Sequence, residues 1–345
     1  MKKEKITTFK VAGTYVGTVV GAGFASGQEI LQFFVSFGRA GLWGIFVITL
    51  LFMLIVYIVM ELGYKLKARN HLPIVRKTGG RVLGTFSDIV ITFFLFGSLT
   101  AMIAGSGAIF AQEFRLHPLF GSLFMATVSI ITVLSGFHGT INSISFVAPF
   151  LIISAIGVSL ASIFLPCPDI CFNEISRSVF LRNWLWSSIL YVSYNSVTAI
   201  SILGPLGCNA DDIKVIRNGA ILGGIGLGLG AAAIFISLYV NSGSISGLEV
   251  PMLFVAGRIS PLMKIFYSVI LLAEIYTTAV SDLYGFTARI CTKEKFRPVF
   301  IFACTAFAFL LSMAGFSNLV RYLYPFVGYC GVLTLMGLIY HKFRS

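Results

Sequence analysis

Charge is what this sequence has least of. Only 11% of its 345 residues are Asp, Glu, Lys or Arg, against about 25% in an ordinary soluble domain. A soluble enzyme or binding module is thereby excluded. Acidic residues are the rarest, 13 against 25 Lys and Arg. Cysteine is sparse as well, with six scattered along the chain. No H-E-x-x-H, Ser-His-Asp or paired-cysteine pattern occurs, so the residues point to no enzyme, no structural metal and no resident cofactor. Cys167 and Cys171, in PCPDIC, leave two readings open, a loop disulfide or two idle thiols. His138 stands alone and reads as structural.

What fills the space is apolar. Hydrophobic residues make up 57% of the chain and the mean hydropathy is +0.93, which marks a multi-pass membrane protein. The net charge of +12 does not indicate nucleic acid, because the basic residues sit in short loops between apolar runs rather than on one soluble face. A bilayer-crossing helix needs about 20 apolar residues. On that measure the chain divides into about ten spans, near 9–38, 40–64, 82–111, 117–136, 139–165, 183–206, 215–241, 262–290, 298–316 and 318–341. Segment 244–261, with Glu249, Pro251, Arg258 and Pro261, is too polar to span and reads as a short helix or cap outside the membrane.

With the N-terminus inside, 18 of the 25 Lys and Arg residues fall on the cytoplasmic side and seven outside, the bias expected of a plasma-membrane protein with both termini cytoplasmic. Lys2 to Lys5 and the apolar run after them resemble a signal peptide, but apolar sequence resumes at 30–37 and the loop charges fit an uncleaved first helix. Split after the fifth span, each half holds an odd number of helices. The second half then starts from the opposite side, the geometry of an inverted repeat common in secondary transporters. The repeats run about 9–165 and 183–341, in one transmembrane domain. Helices one and six correspond in this scheme, and both are expected to be interrupted. Helix one carries GTVVGAGFASGQE over 17–29, and helix six carries the polar run YVSYNSVT over 191–198.

A straight helix over 9–38 would be about 45 Å long at 1.5 Å per residue, too long for a hydrocarbon core of about 30 Å. A break near 21–25 accounts for both the length and the glycines. Backbone that leaves the helix in a membrane must be buried in protein or line a cavity. The inner half-helix would end in unpaired carbonyls suited to a cation, and the outer half would begin with free amides suited to a carboxylate. Two simpler readings stand beside this. The glycines serve close helix packing, and Ser26-x-x-Glu29 is a capping box in which Glu29 turns back to the cap.

In helix eight, Glu274, Thr277, Thr278 and Ser281 share one face, with Asp282 at its edge. A mid-membrane carboxyl group is a candidate functional site, and hydroxyl and carbonyl oxygens suit a hard cation. The simpler reading has both threonines bonding back to their own helix. Helix seven holds Gly219, Gly223, Gly224, Gly226, Gly228 and Gly230, which at this spacing denote tight helix packing rather than a nucleotide loop. Glu61 and Asp88 lie near the inner face and are expected to pair with basic loops.

The string Gly17-x-x-Val20-Gly21-x-Gly23 resembles the first-helix signature of the amino acid–polyamine–organocation superfamily, which has the LeuT-type fold. The longer GAGFASGQE, followed by ILQFF, is similar to YkvI-type bacterial membrane proteins. The resemblance implies an all-α fold of ten helices in a five-plus-five inverted repeat, with substrate between helices one, three, six and eight. Carried over by position, it implies Na+ ligands at the carbonyls of Gly17 and Val20 and the hydroxyls of Thr277 and Thr278. Amides for a substrate carboxylate fall at Ala22 and Gly23. The wider substrate set is Ser26, Gln28, Glu29, Tyr191, Tyr194, Asn195 and Glu274. Two departures stand out: helix six lacks glycine-rich unwinding, and Glu29 and Glu274 add carboxyl groups that point to proton coupling or a cationic substrate. The expected function is Na+- or H+-driven transport of an amino acid or a related small amine-bearing solute. The alternative is a small-molecule sensor on the same fold that moves nothing.

Overall fold

The computed structural model describes residues 6–68, 71–135, 153–162, 165, 178–291 and 294–344. Cys167, Cys171, His138 and most of the expected span at 139–165 lie outside them. Among the described residues, six helices are long and apolar enough to cross a membrane and three more are shorter and apolar.

The first span is broken into α1 (Thr8–Val19), α2 (Ala22–Ala25) and α3 (Gln28–Phe33), followed by a 3-10 turn at Val35–Phe37. The break predicted near 21–25 is real, and it is double. Val20 and Gly21 are extended, with ψ of 104° and −174°. Gly27 then sits at φ 81°, in the left-handed region that glycine enters without steric cost. α4 (Ala40–Leu66) follows as an unbroken span. α5 (Leu72–Phe114) contains Gly80 at φ 74°, which separates a short foot from the membrane-length stretch and explains why the apolar run begins near 82. α6 (Pro118–Leu134) and α7 (Ile153–Ser162) complete what is described of the first half.

The second half opens with α8 (Trp184–Cys208), and here one expectation is corrected. Helix six is not interrupted; it runs as one helix of 25 residues. Its polar side chains explain why. Asn195 donates to the Tyr191 carbonyl at 3.0 Å, Thr198 to the Asn195 carbonyl at 2.8 Å and Ser201 to the Thr198 carbonyl at 2.7 Å. Polar groups that bond to their own helix need no break in it. Ser187 and Ser193 instead donate to the carbonyls of Phe33 and Gly328, at 2.6 and 2.8 Å, and so tie α8 to its neighbours.

α9 (Ile213–Val240) behaves as its glycines predict. A β-carbon on Gly219 or Gly223 would strike Val11 or Tyr15 of α1, and one on Gly224 or Gly228 would strike Met53 or Thr49 of α4. One helix therefore packs closely on two others through two glycine pairs spaced four apart. Segment 244–261 forms α10 (Ser242–Ile245) and α11 (Pro251–Ile259). The Met252 amide donates to the Ser26 carbonyl at 3.0 Å, docking this segment on the broken helix. α12 (Pro261–Ile290), α13 (Arg297–Ser312) and α14 (Phe316–Arg344) close the bundle.

At the end of the bundle that holds the 61–88 region, the expected ion pairs form. Glu61 meets Lys65 at 2.8 Å and Lys342 at 2.5 Å, and Asp88 meets Arg289 at 2.6 Å; a hydrogen bond of 3.0 Å also joins Asp88 to His71. Large apolar side chains such as Trp43, Phe46, Leu229 and Phe302 face outward, as a bilayer requires.

Candidate solute and ion cavity

The double break in the first helix frees backbone groups on both sides, and their fates differ. On the α2 side the carbonyls are taken. Gly21 and Ala22 accept from the amides of Ala25 and Ser26, at 3.0 and 2.8 Å, and Phe24 accepts from the Gly27 amide at 3.1 Å. Gly23 accepts from the Ser26 hydroxyl at 2.9 Å, and Ala25 from the buried Tyr267 hydroxyl at 2.5 Å. On the α1 side the last helical bond runs from the Val20 amide to the Val16 carbonyl at 2.8 Å. The carbonyls of Gly17, Thr18, Val19 and Val20 lie beyond it, where a helix end leaves acceptors without partners.

Those four residues line a cavity of about 350 Å³. Gly21, Ala22, Gly23 and Glu29 continue the same wall, Tyr194, Asn195, Thr198 and Ser201 enter from α8, and Glu274, Thr277, Thr278, Ser281 and Asp282 from α12. The α12 face read from the i, i+3, i+4, i+7 spacing thus points into the space opened by the break. Thr277 donates to the Glu274 carbonyl at 3.0 Å, so the back-bonding reading holds for its proton. A hydroxyl that donates once keeps its oxygen lone pairs for a second partner.

Glu29 is not the arm of a capping box. The Ser26 amide bonds to Ala22, and the Glu29 carboxyl turns to α8 instead. The Tyr191 hydroxyl donates to its Oε2 at 3.2 Å, and the Tyr194 hydroxyl donates to the same oxygen. Its Oε1 lies over Gly23, only 2.1 Å from where a β-carbon would stand. Gly23 is small so that this carboxyl fits.

Of the residues predicted for the site, Gly17, Val20, Ala22, Gly23, Glu29, Tyr194, Asn195, Glu274, Thr277 and Thr278 share the cavity wall. Ser26, Gln28 and Tyr191 do not line it. Ser26 accepts from the Gln28 amide at 3.3 Å within the turn, and Tyr191 stands behind Glu29. The structure adds Phe94, Ser98 and Met102 from α5 and Tyr324 from α14. Helix three was implied by the resemblance, but no spacing singled out these side chains. Tyr324 precedes Pro325, a helix-interior proline that was the one local mark near it.

A broken first helix facing the polar face of α12 across a central cavity defines a class of fold, the LeuT fold with its five-plus-five inverted repeat. Solved structures agree. MhsT in complex with L-phenylalanine aligns at TM-score 0.62 and 17% identity, over 99% of this chain and 89% of that one. The inward-facing conformation of Mhp1 aligns at TM-score 0.58 and 10% identity, over 96% and 76%. A manganese transporter of Eremococcus coleocola aligns at TM-score 0.54 and 13% identity, over 89% and 69%. At such identities the likeness is one of fold. No family model matches the chain. Relatives in sequence are found in Bacillus subtilis strain 168. The membrane protein YkvI is 30% identical over 349 residues, 99% of this chain and 98% of its own. YyaD is 27% identical over 333 residues, 96% and 95% of the two chains. The chain belongs to the YkvI family of membrane proteins.

Proposed function

We propose that this protein is a secondary active transporter of the amino acid–polyamine–organocation superfamily, a symporter or exchanger. It moves an amino acid or a related small amine-bearing solute across the cell membrane on a Na+ or H+ gradient. One observation carries the reading: at the break, the outer carbonyls are paired while those of Gly17 to Val20 lie beyond the last helical bond and line a cavity walled by hydroxyls and carboxyls of α12. Oxygen ligands of this kind suit an alkali cation, and Gly17, Val20, Thr277 and Thr278 would hold it as cargo. Ala22, Gly23, Glu29, Tyr194, Asn195 and Glu274 would face the solute, with Ser26, Gln28 and Tyr191 supporting the turn and Glu29. The two repeats, about 9–165 and 183–341, would move against each other around this site. Both termini would be cytoplasmic, given 18 of 25 basic residues on that side. The L-phenylalanine bound by MhsT supports an amine-bearing solute.

The test is uptake into proteoliposomes across a panel of amino acids and amines, under imposed Na+ or H+ gradients. Accumulation that collapses with the gradient is the expected result. Folded, reconstituted protein that moves no solute under either gradient contradicts the reading, and ligand binding without flux would indicate a sensor.

A further inference from the structure

Resting on that transporter reading, we infer that Glu29 is a built-in carboxylate holding the position a substrate's carboxylate would take. The solute is then an organic amine with no carboxyl group, an amine or diamine rather than an amino acid.

The placement of Glu29 comes first. Its Oε1 and Cδ would lie 2.1 and 2.9 Å from a β-carbon on Gly23, so the carboxyl is pressed against the first turn of α2. The amides of that turn have no acceptor within the helix and are where a substrate carboxylate was expected. Two tyrosine hydroxyls on Oε2 hold Glu29 there. A second carboxylate brought to the same amides would meet Glu29 at close range, where little water screens like charges.

The rest of the wall suits a cation. Glu274 and Asp282 are 5% and 8% exposed. Glu274 Oε2 and Asp282 Oδ2 have no hydrogen-bond partner, though both residues line the cavity. Among the described residues lining it there is no Lys, Arg or His, so nothing on the wall neutralises three carboxyl side chains. An ammonium group in the cavity brings opposite charge to the carboxyl groups of its wall.

Three rings complete the fit. Phe94, Tyr194 and Tyr324 line the cavity and lie against one another, with centroid separations of 6.0, 5.2 and 5.6 Å around the trio. Aromatic faces grouped in this way attract an organic cation through their quadrupoles.

Matched ligand pairs test this on the purified full-length protein, by calorimetric titration and thermal unfolding in detergent. Phenethylamine is compared with phenylalanine, and cadaverine with lysine, so that each pair differs only in the carboxyl group. In at least one pair, the amine should bind about tenfold tighter or more. Glu274→Gln and Asp282→Asn should each weaken that amine by about tenfold or more. Glu29→Ala should narrow the gap by admitting the amino acid; if that variant does not fold, the wild-type pairs decide. Amino acids bound as tightly as their amines in both pairs, or no binding by either member of either pair, overturns the inference. Failure of the transporter reading looks different: amine binding without flux leaves this assignment standing, whereas amino-acid uptake without amine binding removes it and keeps transport.

Discussion

Helix one and helix six carry polar residues at matching places in the two halves of the chain, yet one breaks and the other does not. In α8 the polarity is in side chains that reach back to their own helix, as Asn195, Thr198 and Ser201 do. The helix stays continuous through them, and the outward parts of those side chains remain to line a cavity. In residues 17–29 the departure is in the backbone itself, extended at Val20 and Gly21 and left-handed at Gly27. Polarity within an apolar span therefore does not foretell a break. Nor does glycine alone, since α9 holds six and stays helical; the break lies where the backbone itself turns, at Val20, Gly21 and Gly27. The two helices therefore line the cavity differently: the broken one brings the carbonyl end of Gly17 to Val20, and α8 brings the side chains of Tyr194, Asn195, Thr198 and Ser201.

The largest expected effect comes from forcing the broken helix to accept a side chain at its second bend. Gly27→Ala must hold φ near 81° with a β-carbon 2.8 Å from Met252 Cγ. It should cost about 2–4 kcal/mol, read as a lowered unfolding midpoint in detergent. Gly23→Ala comes next. Its β-carbon meets the flexible end of Glu29, so the stability loss should be only about 1 kcal/mol while solute binding falls sharply. The double variant with Glu29→Ala should lose less than the sum of the two singles, because both act on one contact.

The intact helix should respond less. Thr198→Ala and Ser201→Ala each remove a bond to a carbonyl already within a helix, and each should cost about 0.6 kcal/mol. A loss of several kcal/mol at either position would mean that α8 depends on its polar run for integrity, and the contrast with helix one would fail. Gly21→Ala should have the smallest effect on stability, within about 0.5 kcal/mol, since its φ of −119° is ordinary and nothing lies within 4 Å of the added carbon. That carbon enters the cavity, so solute binding should weaken while the unfolding midpoint stays. Binding unchanged in Gly21→Ala would place the solute away from the break.

The apolar spans among the described residues, the break in helix one, the α9 glycine pairs and the pairing of Glu61 and Asp88 with basic residues were legible from the chain, because each rests on local spacing or on charge beside an apolar run. The second bend at Gly27 was not. Ser26-x-x-Glu29 matched a capping box, and two contacts decide against it: the Ser26 amide is taken by Ala22, and Tyr191 and Tyr194 hold the Glu29 carboxyl. The continuity of α8 was misjudged because a polar run reads alike whether its side chains or its backbone are rearranged. Phe94, Ser98 and Tyr324 gave little signal, being separate residues brought to one cavity by α5 and α14.

On the proposed function, the open carbonyls of α1 and the hydroxyl face of α12 form one ion-coupled site. Gradient-driven uptake measured side by side in wild-type protein and in the isosteric Thr277→Val/Thr278→Val variant tests it most directly. The wild type should accumulate solute against its gradient, and the variant, folded and still able to bind solute, should need at least about tenfold more coupling ion for the same rate. Identical ion dependence in the two proteins would contradict it.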